Sequence, residues 1–267
     1  MASTVRPAAV AGTFYPGSSA ALGTTVDALL GAVSFEKREL PKALIVPHAG
    51  FTYSGPVAAA GFARVASVAD RLERVVILGP AHRVPFEGLT WPGTTHLRTP
   101  LGDLEVDVTA IEGVPELVAH PAAHAREHSI EVELPFIQRL APRAKIIPIA
   151  ASHAAPDVVG RVLEQLWGGP ETLIVISSDL SHFHPYAEAA AIDRRTAAKI
   201  VALETGLTGE EACGCTGING LAWVARRRNL RIEVLDLRSS GDTAGPRDEV
   251  VGYGAFAAYE PTTWPTT

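Results

Sequence analysis

Arg74-Val75-Val76-Ile77-Leu78-Gly79-Pro80-Ala81-His82 decides the fold. Four apolar residues in a row, without polar alternation, suit a strand covered on both faces, as in a mostly parallel sheet. A histidine follows four residues after Leu78, with Gly79 before it. The same grammar recurs along the chain. Ala43–Val46, Lys145–Ile149, Leu173–Ile176, Ile232–Leu237 and Val250–Phe256 are further apolar runs rich in β-branched residues. Between them lie stretches of helical period: Pro56–Ala69, Asp157–Leu166, Tyr186–Leu203 and Gly217–Arg228. Ser54-Gly55 reads as the entry to the first of these, with proline in its first turn. Ile130, Leu134 and Ile137 share a face of one more helix, which Pro135 kinks or bounds.

Strands alternating with helices predict an α/β fold, a three-layer sandwich around a central mixed, largely parallel sheet. The segment Glu87–Asp107, with Pro92-Gly93 and a turn at Pro100–Asp103, breaks the alternation and reads as an inserted hairpin or long loop. No repeat or linker divides the 267 residues, so one domain over 1–267 is expected.

Composition narrows the function. Hydrophobic residues make up 47% and charged residues 19%, enough for a large core. A net charge of -6 argues against a nucleic-acid partner, which needs a basic face. The cluster Arg226-Arg227-Arg228 reads as a helix end. No apolar run reaches the roughly 18 residues of a membrane span, and the first 20 residues lack the pattern of a secretion signal. Cys213 and Cys215 are too few for a disulfide framework or a four-thiolate zinc site, so a cytoplasmic location is expected.

Open α/β sheets place ligands at the carboxyl ends of their strands. His48 ends Leu44-Ile45-Val46-Pro47-His48, and His82 follows the strand quoted above. Asp179 and His182 follow Leu173–Ile176, while Asp242 follows Ile232–Leu237. Two histidines and a carboxylate with open positions describe the ligand set of non-haem Fe(II) enzymes. His182, with a pKa ordinarily near neutrality, is then the candidate acid or base, and His184 is its rival. Plainer roles stand beside each assignment. Asp242 in Gly-Asp-Thr also fits a turn, and Asp179 also fits a helix cap or a partner that orients a histidine. His153 reads as a helix-entry residue, and His96 and His120 as surface or loop residues. His124-Ala125-Arg126-Glu127-His128 matches the H-x-x-E-H zinc-protease pattern, but Pro121 argues that these residues sit at a helix start. Glu127 and His128 read better as residues lining or supporting the pocket. A hydrolase using the same ligands to activate water is a further alternative, although no G-x-S-x-G surrounds Ser177 and Ser178.

Several blocks together are specific. Arg6-Pro7-Ala8-Ala9-Val10-Ala11-Gly12-Thr13-Phe14-Tyr15-Pro16, Pro47–Gly55, Gly79–His82, Glu127-His128-Ser129-Ile130-Glu131, Ser177–His182, Ser240–Thr243 and Val251–Ala255 run nearly end to end. Through them the chain resembles the Memo-like family, the B protein of the AmmeMemoRadiSam system, itself similar to LigB-type class III extradiol dioxygenases. The resemblance implies His48 and His82 as metal ligands, His182 as the catalytic histidine and Asp242 at the third-ligand position, where animal members carry a cysteine. It implies a divalent metal, with Fe(II) favoured by the carboxylate and copper or zinc as alternatives. Dioxygenase-like oxidative chemistry on a small molecule is the implied activity. The alternative is a non-catalytic metal-binding scaffold working with radical-SAM and AMMECR-type partner proteins.

Overall fold

Each apolar run becomes a strand, and the helical stretches fall between them. The computed structural model describes residues 4–34 and 40–261. In chain order these form β1 (Val5–Arg6), α1 (Ser19–Gly31), β2 (Ala43–Val46), α2 (Phe51–Phe62), β3 (Arg74–Pro80), β4 (Leu89–Trp91), β5 (His96–Thr99) and β6 (Gly102–Glu105). There follow α3 (Val108–Glu112), β7 (Leu117–Ala119), α4 (Pro121–Ala125), α5 (Leu134–Leu140), β8 (Lys145–Ala151), α6 (Pro156–Gln165), β9 (Thr172–Ser177) and β10 (His182–His184). The chain closes with α7 (Tyr186–Val201), α8 (Cys215–Arg228), β11 (Arg231–Ser239) and β12 (Val250–Tyr259).

The main sheet runs β10-β12-β2-β9-β3-β8-β4-β7, with β11 on the other side of β12. Its centre, β2-β9-β3-β8, is parallel, while β12 and β4 pair antiparallel with β2 and β8. The sheet is therefore mixed, with the parallel part where the apolar runs are longest. Register shows how the faces are covered. Val46 pairs with Ser177 and points toward α2, where a Cβ on Gly61 would lie 2.5 Å from Val46. Leu78 pairs with Ile176, and both face Gly217 of α8 on the opposite side. Helices thus cover both faces, giving three layers. One cluster of buried side chains runs through them, from Val10 to Tyr259.

The inserted segment holds the hairpin β5–β6, whose first strand also pairs with β1. The entry to α2 lies earlier than the sequence suggests. The helix begins at Phe51, whose N–H bonds the Phe14 carbonyl, so Pro56 is inside it. The expected Pro56–Ala69 helix also divides, its second half being a 3-10 helix at Ala63–Arg71. His153 forms a bridge with Glu87 instead of capping α6, whose N-cap is Ala155. His120 does cap a helix, accepting from Ala123 N–H at the start of α4. Arg228 ends α8 as expected, with Asn229 left-handed behind it. Among the described residues no helix is long and apolar enough to cross a membrane.

Candidate metal centre

β2 and β3 are parallel to β9 between them, so their carboxyl ends share one edge, and His48 and His82 leave from that edge. Their ring centroids are 5.3 Å apart. His48 is almost fully buried. Its backbone N–H donates to Asp179 Oδ1 at 2.9 Å, and its Nδ1 lies 2.7 Å from Ser177 Oγ. That leaves Nε2, which meets Cys213 Sγ at 3.5 Å. Burial, with the neighbouring His82 and His128, holds the His48 pKa well below its ordinary value, so the ring is neutral. A neutral imidazole and a sulfur pointed at each other, with His82 alongside, form a group that could hold a metal ion. One atom each of His48, His82 and Cys213 lie within 4.8 Å of one another.

Cys213 arrives from the turn before α8, not from a strand end. Its N–H donates to the Asp179 carbonyl, and Gly214 presses against β9. A Cβ on Gly214 would sit 2.6 Å from both the Ser177 carbonyl and Ser178 Cβ. Only glycine permits that approach, and the approach carries the thiol to His48. Burial raises the Cys213 pKa strongly, so without a cation the sulfur carries its proton.

His82 is oriented from behind. Glu127 Oε2 accepts its backbone N–H, and Oε1 lies 2.9 Å from its Nδ1. A carboxylate on one imidazole nitrogen fixes the tautomer and leaves the other nitrogen to bind. Burial alone would raise the Glu127 pKa, but these bonds and the Ser129 N–H hold it well below the carboxylate range. His128 stacks on His82 with centroids 4.7 Å apart, and burial lowers its pKa to about 4. Its buried Nδ1 is 3.3 Å from Glu127 Oε1 without a hydrogen bond. His82, Glu127 and His128 form a second compact group of potential ligands. The segment bearing Glu127 is pinned by the N-terminus. Arg6 donates to the His124 and Glu127 carbonyls and pairs with Glu131, which also accepts from Ala9 N–H, Val10 N–H and Tyr15 Oη. Two blocks of the sequence pattern far apart in the chain, Arg6–Pro16 and Glu127–Glu131, are therefore joined in one network.

The other expected residues divide. His182 is within electrostatic reach of His48 and His82, and burial lowers its pKa. His184 instead pairs with Glu188 on α7. Asp179 binds the backbone N–H groups of His48 and Ala49 and no imidazole nitrogen. Burial lifts its pKa to about 7, those two bonds offsetting part of the rise. Phe183, between His182 and His184, has a φ of 59° and is 71% exposed.

Asp242 does not join the histidines. β11 runs parallel to β2, so its end reaches the correct edge, but β12 lies between them and separates the strands by about 10 Å. The Asp242 carboxylate closes a capping box with Ser239 and accepts from Tyr186 Oη at 2.6 Å. The turn role weighed for it is the one it fills, and Cys213 is the third residue grouped with His48 and His82. The H-x-x-E-H reading also fails on geometry. α4 ends at Ala125, so Glu127 and His128 lie beyond it, and His124 is buried with Nε2 3.2 Å from Thr90 Oγ1. Sequence reasoning that searched only behind strands had no route to Cys213. The signal was Cys213-Gly214-Cys215, a thiol beside a glycine at a helix entrance.

These features define a three-layer α/β protein with two histidines and a cysteine gathered at the carboxyl edge of its parallel strands. The chain belongs to the Memo-like protein family, whose pattern matches residues 6–257. It is 36% identical to a "MEMO1 family protein" of Aquifex aeolicus over 93% of this chain and 97% of the relative. Proteins of the same description from Caldivirga maquilingensis and Archaeoglobus fulgidus are 32% and 31% identical, over 96% and 94% of this chain and 99% and 98% of theirs.

Proposed function

We propose that His48, His82 and Cys213 hold one divalent metal ion, and that the site performs dioxygenase-like oxidative chemistry on a small molecule. The observation that carries the metal reading is the meeting of His48 Nε2 and Cys213 Sγ at 3.5 Å beside His82. The donors fit such an ion: His48 is neutral, and Glu127 engages Nδ1 of His82, leaving its other nitrogen available. Two imidazoles and a thiolate suit iron, copper or zinc, and the thiolate weakens the preference for iron that a carboxylate ligand would give. Fe(II) remains the first ion to test, because oxidative chemistry requires a redox-active one.

When bound, the metal would supply Lewis acidity and a redox centre. The chain's own residues prepare the site. Glu127 holds the His82 ring, and Asp179 ties the backbone of His48. His182, kept largely neutral, is available to take a proton from an acidic hydroxyl of a substrate and return it. His82 is exposed, so one side of the group opens to solvent.

Metal analysis after anaerobic loading with Fe(II) tests the ligand set. Cys213→Ser is expected to lose most of the bound metal, while Asp242→Asn keeps it. The reverse pattern would refute the assignment. Oxygen uptake with catechols tests the chemistry: uptake abolished in His182→Ala with metal retained supports it. Tight metal binding with no turnover would favour a metal-binding scaffold.

A further inference from the structure

Glu133 is 0% exposed, in the 3-10 turn Glu131–Glu133 that leads into α5. Its Oε1 lies 2.8 Å from Ser177 Oγ, and its Oε2 is buried with no hydrogen-bond partner. Ser177 Oγ meets two other groups, the Ser129 carbonyl oxygen at 2.6 Å and His48 Nδ1 at 2.7 Å. A hydroxyl has one proton to give and two lone pairs to receive. The Ser129 carbonyl can only accept, so the proton of Ser177 goes there. The other two neighbours must then donate to Ser177. His48 does so as its Nδ1–H tautomer, and Glu133 can do so only as a carboxylic acid. Were Glu133 ionised and the hydroxyl turned toward it, the Ser177 and Ser129 oxygens would face each other lone pair to lone pair at 2.6 Å.

We infer that Glu133 is a neutral carboxylic acid at pH 7 that donates to Ser177 Oγ, and that with the Ser129 carbonyl it fixes His48 with its proton on Nδ1 and Nε2 bare. Its surroundings agree. No ion pair reaches Glu133 among the described residues, and any charge on neighbouring Asp179 opposes a second negative charge beside it. Burial raises its pKa well above the usual range. Glu133 is thus a positioning residue, acting on His48 through Ser177. This deepens the proposed metal site and rests on that reading for its purpose, although the proton count stands without any metal.

Infrared difference spectra of the metal-free protein at pH 7 test the acid. The wild type minus Glu133→Gln is expected to contain the carbonyl stretch of a protonated carboxyl group. The glutamine variant keeps a donor toward Ser177, so its urea midpoint should stay close to wild type. Spectra of 15N-histidine-labelled wild type, which need no change at position 133, should show one buried ring protonated on Nδ1, assigned to His48 by its loss in His48→Gln. Ser177→Ala should mix the tautomers of that ring, while Glu133→Gln should preserve the Nδ1–H form. A carboxylate band in place of the acid band, or a His48 proton on Nε2, overturns the inference. Both signatures present in a protein that binds no Co(II) would leave it standing and refute the metal reading instead.

Discussion

Glu131→Gln tests how far the N-terminus supports the site. In the wild type, Oε2 of Glu131 accepts from the Arg6 guanidinium and Ala9 N–H, while Oε1 accepts from Val10 N–H and Tyr15 Oη. Arg6 and Glu131 are 6% and 1% exposed, so water cannot replace these bonds. Glutamine keeps one oxygen and turns an NH₂ group toward the other pair of donors. Tyr15 can rotate its hydroxyl to accept, but Val10 N–H cannot. The amide nitrogen therefore settles toward Val10 and Tyr15, leaving one unsatisfied backbone donor and an arginine without its counter-charge. An orphaned buried donor costs about 1–3 kcal/mol, and a broken buried ion pair about 3–5 kcal/mol. Arg6 keeps its bonds to the His124 and Glu127 carbonyls, so the lower ends apply, about 4 kcal/mol together. For a chain of this size that corresponds to a fall of about 8–16 °C in Tm. Urea unfolding followed by tryptophan fluorescence measures it. Arg6→Met on top of Glu131→Gln should add much less than it costs alone, because the two residues share one network. A loss under about 1 kcal/mol for Glu131→Gln, or simple additivity, would refute the view that Glu131 is the anchor.

Two further predictions concern the fold. His124 is 4% exposed and held neutral by burial to a pKa of about 4, against about 6.5 when unfolded. As pH falls below 6.5 the unfolded chain binds a proton that the folded chain refuses, so stability drops until about pH 4. Relative to His124→Gln, the wild type should lose up to about 3 kcal/mol across that window, read as urea midpoints at several pH values. Parallel curves for the two proteins would contradict this. Gly220 lets α8 approach α6, since a Cβ there would lie 2.2 Å from Val159 Cγ1. Gly220→Ala should cost about 1–3 kcal/mol by overpacking, and an unchanged melting temperature would show that the helices can part cheaply.

Much of the sheet was legible because burial on both faces leaves an unbroken apolar run. Arg74–Leu78 and Leu173–Ile176 fall inside β3 and β9 almost residue for residue. Direction at the sheet's end was not legible, since Val250–Phe256 reads alike whether parallel or antiparallel. His48 and His82 were legible for the same reason as their strands, the carboxyl edge being where such folds present side chains. Asp242 obeyed the same local rule and went elsewhere, because position across the sheet is set by strand order, which no single run encodes. Cys213 depends on a glycine packing against β9 from a later helix, a tertiary event with only a faint local trace. Glu133 was invisible altogether: an acidic side chain between Val132 and Leu134 becomes meaningful only when Ser177 is found beside it.

β11 has β12 as its strand partner along one side, and its other side carries no pairing among the described residues. An open edge of this length invites a second sheet to add itself on. The strand counters this with Arg231, Glu233, Asp236 and Arg238 along its nine residues, and with a register shift between Val234 and Asp236. At the far end β7 is only three residues long. Charge and a bulge guard one margin and brevity guards the other, so the protein should stay dispersed at high concentration. Stripping those four charges would be expected to let copies of the chain pair edge to edge through β11, read as a rise in particle size by light scattering.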